Sequence, residues 1–299
     1  MLVFMPLATA VGIPGVLVAW WRQSRFSEVF TNRAVRTRYA ELSAELSMAR
    51  RIHDRLFPLP ITDGPLRVEF AYEPMRQIGG DIVYARRSAA NTILDLVLID
   101  VTGHGIAAAL VVNRLHAELN RIYGSNETIT PRDIIDALNS YACLTMADEG
   151  FYATALCLRI EPPLKRLTFS NAGHPPAFLF HAGISRPLES TTLLLGAAAG
   201  SQFEPAQASV PFEPGDVLYV YSDGALEARN AASRMLGLTG LADLLKGSPS
   251  SDAVVRLVQA FRDGPAQDDM LVVRIEHRPL LSLIHISEPT RLRRISYAV

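Results

Sequence analysis

The sequence predicts an α+β fold, a sandwich rather than a doubly wound parallel sheet. Two observations carry this. Between about Leu66 and Glu276 the chain breaks into short strand-like runs bounded by turn residues. Its helix patterns there come in runs instead of alternating strictly with those strands. With 299 residues, 49% of them hydrophobic, the chain can bury one sizeable core and carry an accessory segment besides.

Taken in order, the first element is apolar. Met1 to Trp21 has no charged residue in 21 positions, about the length that crosses a bilayer, and ends in Trp20–Trp21. Arg22, Arg25, Arg33, Arg36 and Arg38 follow. This pattern predicts a membrane span over 1–21, with everything downstream in the cytoplasm by the positive-inside rule. A cleaved signal peptide fits less well, because no basic region precedes the apolar run. The same pattern also suits the last span of a larger membrane protein.

Residues 22–60 read as a helical linker. Val35, Tyr39, Leu42, Leu46, Ala49, His53 and Leu56 alternate spacings of four and three, the seam of a coiled coil, and Pro58 and Pro60 stop the helix. Two arrangements satisfy that pattern: an amphipathic helix lying on its own domain, or a parallel homodimer through 35–56.

In the domain expected over 61–280, the strands are "RVEFAYEP", "NTILDLVLIDV", "YATALCLRIE", "LKRLTFSNAG", "DVLYVYSDG" and "DMLVVRIEH". Helices are expected at Ile106–Tyr123, Pro131–Met146, Leu238–Lys246 and Ser251–Arg262, the second opened by Thr130 and Pro131. The last stretch, "LSLIHISEPTRLRRISYAV" over 281–299, resembles the in-frame translation of a transposase-type sequencing-library adapter and is set aside as non-native.

A net charge of −1 gives no field to recommend nucleic acid as a partner. Cys143 and Cys157 lack any C-x-x-C spacing and read as buried thiols in a reducing compartment.

The chemistry sits at strand ends. "IGGDIVY" (Asp81), "LIDVTGHG" (Asp100), "YVYSDGALEARN" (Asp223) and "PAQDDMLVV" (Asp268, Asp269) each place an acid beside small residues, and "FSNAGHPP" is a similar turn without one. A single Asp-Gly is an ordinary turn. Four such acids at strand ends imply convergence, and a hard divalent cation resolves their repulsion. No His/Cys spacing suits zinc. Gly103, Gly105 and Ala108 also spell a dinucleotide fingerprint, but such a site requires a second strand after the helix. Here "GSNETITPRD" leads into another helix instead. The "GGD" at Gly79 lacks the continuation that nucleotide cyclases use.

In this order, GGD, D-V-x-G-H-G, N-A-G-H-P-P, S-D-G and D-D, together with "ELSMARRIHDRLFP", resemble the metal-dependent protein phosphatases (PPM, type 2C) in their SpoIIE/RsbU branch, over about Ala40 to Glu276. The resemblance implies an α-β-β-α sandwich of two antiparallel sheets flanked by helices. It implies two Mn²⁺ or Mg²⁺ ions held by Asp81, Asp100, the Val101 carbonyl, Asp223, Asp268 and Asp269, with Asp268 preferred to Asp269. Asp100, Asp223 and Asp268 would be catalytic, supporting an activated water that hydrolyses phosphoserine or phosphothreonine. The implied substrate is a phosphorylated regulatory protein, typically an anti-sigma-factor antagonist. One departure stands out: Tyr84 occupies the position three after Asp81 where relatives commonly carry an acid. It leaves a third metal position in doubt and keeps a phosphoprotein-binding scaffold as the alternative. His174, and Arg229 with Asn230, read as residues that steady turns, and His104 as either a proton donor through water or a support for its turn.

Overall fold

The computed structural model describes residues 4–88 and 90–279; over most of 4–34, and at residue 147, only the backbone is described. The tail set aside over 281–299 lies outside the described residues. The chain divides into two compact units, Met1–Ile52 and His53–Val299.

The described residues of the first unit all lie in helix α1 (Phe4–Asp54). Among the described residues no helix is long and apolar enough to cross a membrane. The membrane span expected over 1–21 falls almost entirely on residues whose side chains lie outside the description, and the described residues do not support it. Three residues of the expected seam, Val35, Tyr39 and Leu42, stand exposed at 59%, 76% and 60%.

The second unit is built on β1 (Leu66–Glu73), β2 (Asp81–Arg87), β3 (Leu94–Val101), β4 (Ala153–Glu161), β5 (Arg166–Ala172), β6 (Ala177–His181), β7 (Ile184–Leu188), β8 (Ala208–Pro211), β9 (Val217–Tyr221) and β10 (Met270–His277). One sheet has the order β1-β10-β9-β6-β7 and the other β2-β3-β4-β5-β8, with every neighbouring pair antiparallel.

The layering follows from side-chain alternation. In β3, Leu94, Leu96 and Leu98 enter the core between the sheets, while Val97, Ile99 and Val101 face α2 (Ile106–Ser125) and α3 (Pro131–Thr145). Opposite faces of a strand are both buried here, which is why its sequence is a nearly unbroken apolar run. Likewise β10 sends Leu271, Val273 and Ile275 inward, and Met270 and Val272 outward against α5 (Gly237–Leu245) and α6 (Ser251–Phe261). The short helix α4 (Asp223–Glu227) completes that outer layer. The result is the helix–sheet–sheet–helix sandwich.

All six expected strands and four expected helices are present, with ends shifted by at most three residues. At α3 the expected start is met in detail: Thr130 Oγ1 accepts from the Asp133 amide at 3.3 Å, and Pro131 occupies the first turn. Unforeseen were β2, β6, β7, β8 and α4. β6 and β7 form a hairpin whose turn, Ala182–Gly183, has φ of 48° and 80°, so a non-glycine residue carries one of its left-handed positions. β7 itself is mostly exposed and shows little apolar alternation.

Candidate active site

Sheet register brings the first two acids together. Asp81 opens β2, Asp100 lies one residue from the end of β3, and the antiparallel pairing sets them directly opposite each other. Gly80 packs closely behind: a Cβ there would stand 2.8 Å from the Val101 carbonyl, and its own carbonyl accepts from the Val101 amide at 3.2 Å. Gly103 and Gly105, with φ of 91° and 80°, then turn the chain into α2 through a conformation that side chains disfavour.

The other sheet supplies the second pair. Asp223 is the first residue of α4, immediately after β9, and Asp268 lies in the turn before β10. β9 and β10 are neighbours, so the two turns meet. The Ser222 hydroxyl ties them, accepting from the Leu271 amide at 2.9 Å and donating to the Asp269 carbonyl at 3.2 Å.

His174 joins the two sheets behind the acids. Its Nε2 donates to the Tyr221 carbonyl at 3.0 Å, so Nδ1 accepts from Thr154 Oγ1 at 2.8 Å. Thr154 is the partner of Asp100 in the β3–β4 register, and Tyr221 precedes the Ser222–Asp223 turn. Asn171 holds the same loop with two bonds to the His174 backbone, of 2.8 and 3.0 Å. Burial holds the imidazole neutral, lowering its pKa to about 3. The steadying role expected of His174 is what the geometry displays. Arg229 and Asn230, expected to steady the S-D-G turn, instead bond the later turn at 230–234, through the Ser233 carbonyl and the Ala232 and Arg234 amides.

The electrostatics of the four acids are those of mutual repulsion in a desolvated place. Burial, then the charges of Asp223 and Asp268, push Asp100 up to about 7. Burial and Asp268 push Asp223 up to about 6. Asp81, only 1% exposed, is also raised well above the usual carboxylate range by burial and by Asp100, with the Ser222 hydroxyl opposing. Burial raises Asp268 as well, while His104 lies close enough to favour its charged form.

Among the described residues no group of three or more His, Cys, Asp or Glu side chains stands gathered closely enough to hold a metal as it is. The donor set nevertheless fits a hard dication. Asp81 Oδ2 is buried without a hydrogen-bond partner, the ligands offered are all oxygen, and the strongest charges acting on these acids are one another's.

Asp269 differs from the rest. Its Oδ1 accepts from the Met75 amide and its Oδ2 from the Gly80 amide, both at 2.7 Å. Both oxygens of that expected ligand are thus engaged with the backbone. Tyr84, on β2, turns toward α2: its ring stacks on Tyr123 with centroids 5.4 Å apart, and its hydroxyl bonds Asn120 at 3.2 Å. Nothing in the sequence marks the roles of Ser222 and Thr154: the serine stands inside the S-D-G motif without a signal of its own, and Thr154 carries no local signal at all.

Comparison with known proteins gives this geometry its relatives. The chain is 27% identical over 211 residues to phosphoserine phosphatase RsbP of Bacillus subtilis, covering 69% of this chain and 49% of that protein. It spans about half the length of the curated relatives it matches. In fold it is similar to the SiaA-PP2C domain of Pseudomonas aeruginosa, with a TM-score of 0.69, 17% identity, and coverage of 79% and 97%. It is also similar to the catalytic domain of serine/threonine phosphatase PstP in complex with two manganese ions, with a TM-score of 0.53, 19% identity, and coverage of 72% and 99%. The family model described as Stage II sporulation protein E (SpoIIE) matches residues 91–278, which hold Asp100, Asp223 and Asp268 and make up more than half of the chain, so this protein belongs to the SpoIIE family.

Proposed function

We propose that this chain is a metal-dependent protein serine/threonine phosphatase acting on a phosphorylated bacterial regulator of the anti-sigma-factor antagonist type. The observation that carries the reading is the approach of Asp81, Asp100, Asp223 and Asp268 from two sheets, near enough for their charges to act on one another, with one buried Asp81 oxygen left without a hydrogen-bond partner. Asp81, Asp100, the Val101 carbonyl, Asp223 and Asp268 would hold two Mn²⁺ or Mg²⁺ ions. Such ions, when bound, lower the pKa of water and neutralise phosphoryl charge.

The chain's own part is preorganisation. The β2–β3 register fixes Asp81 against Asp100. Ser222 and His174 fix the turn that carries Asp223, and the burial that raises these acids makes them poor at staying charged without a counter-ion. His104, whose charge would favour ionised Asp268, would either donate a proton through water to the departing serine oxygen or support its own turn. Two free cysteines suit work in the cytoplasm. A homodimer through 35–56 belongs to the same reading, on the strength of the exposed seam residues.

The decisive experiment is hydrolysis of p-nitrophenyl phosphate and of a phosphoserine peptide with and without Mn²⁺. Turnover should require the metal, and Asp223→Asn should lower it by more than about a hundredfold, beyond what loss of a supporting residue does. Metal-independent turnover, or none in the wild type, would sink the proposal.

A further inference from the structure

Asp269 bonds the loop before β2, the turn after β9 and its own turn before β10. Besides its bonds to the Met75 and Gly80 amides, its own amide donates to Asp268 Oδ1 at 2.8 Å and its carbonyl accepts from Ser222 Oγ. The residue is 3% exposed. Two glycines are shaped around it. A Cβ on Gly79 would overlap the Asp269 carboxylate and the Tyr72 hydroxyl, and a Cβ on Gly224 would overlap the Asp269 carbonyl. The first glycine of G-G-D and the glycine of S-D-G are therefore small because Asp269 fills the space beside them, and neither has the positive φ that marks a turn glycine.

The geometry points to Asp269 as the positioning residue of this centre: a carboxylate that holds the 74–80 loop against β10, and with it Asp81 and the Val101 carbonyl, without itself meeting a cation. The inference rests on the phosphatase reading for the identity of the centre, but the clamp is a property of the chain alone. A carboxylate suits the task because two amide N–H groups converge on it, and charge-assisted bonds of this kind are the strong ones. An asparagine would keep the shape yet present its NH₂ to one of those donors. Loss of the clamp frees the loop that carries Asp81 and leaves Gly80 without its partner, so the cost falls on metal affinity, as it does for residues that orient ligands.

The test uses the full chain and the Asp269→Asn variant. In metal-free protein, hydrogen exchange of the Met75 and Gly80 amides should speed up in the variant while the sheet amides keep their protection. In calorimetric titration with Mn²⁺, affinity should fall by about 10–100-fold with the wild-type number of ions bound at saturation. The Mn²⁺ needed for half-maximal turnover should rise accordingly, with kcat at saturating metal close to wild type. Unchanged exchange would overturn the inference; so would a variant that binds fewer ions, since Asp269 would then be a ligand. A wild type that binds no Mn²⁺ would defeat the phosphatase reading, and the exchange comparison would still decide the clamp. Should Asp269→Asn fail to fold, Gly79→Ala presses a methyl against the same carboxylate and must disturb the same two amides; if it leaves them unchanged, the inference falls.

Discussion

At the site itself, Asp100 and His174 pull stability in opposite directions with pH. In the unfolded chain an aspartate gives up its proton near 3.8, whereas folded Asp100 holds it to about 7. The folded state then binds more protons in that window, so this contribution is full below about pH 4 and is lost as pH rises through 7. His174 is held neutral, its pKa lowered from 6.5 to about 3, so its contribution is present above pH 6.5 and lost as pH falls toward 3. Comparing metal-free wild type with Asp100→Asn isolates the contribution of Asp100. The wild type should lose melting temperature relative to the variant between about pH 5 and pH 7, because only the wild type must ionise a buried acid there. A difference that stays flat with pH would show that Asp100 is not held protonated. The acids themselves were legible in sequence because each sits beside glycines at a strand end. That Asp269 clamps while Asp268 faces the other acids was not, since adjacent identical residues differ only in which way the backbone aims them.

At the scale of elements, β3, β10 and α3 could be read because their signals are local: apolar runs of strand length, and a Thr-Pro helix start. β2 and β7 could not, because their sequences end in arginines or lie exposed, and pairing partners far along the chain define them. Helix α1 carries a seam whose exposed apolar residues need covering. Sedimentation of the full chain should show a dimer, and Leu42→Glu should shift it to monomer, since a charge at a seam position forfeits apolar burial of ~1.5–3 kcal/mol per copy. A wild-type monomer would remove the dimer from the proposal.

For the molecule as a whole, the two sheets each contribute half of the acidic site, so cation binding should brace the sandwich. Metal-free protein should melt lower than protein in excess Mn²⁺, with a gain of ~2.7 kcal/mol at a hundredfold excess over Kd. Asp223→Asn should show little of that gain in a thermal scan, and an equal gain in the variant would argue that Mn²⁺ stabilises the protein elsewhere. The sequence by itself determined the class of the fold, six of the ten strands and the identity of the acids, because alternation, caps and glycine turns act over a few residues. Only the tertiary structure decided which acids face one another. Asp81 meets Asp100 through strand register, Asp223 meets Asp268 through neighbouring turns of the other sheet, and Asp269 is drawn aside by amides nearly two hundred residues away in the chain, at Met75 and Gly80. Long-range pairing of this kind is set by packing two sheets on a shared core, and no local pattern encodes it.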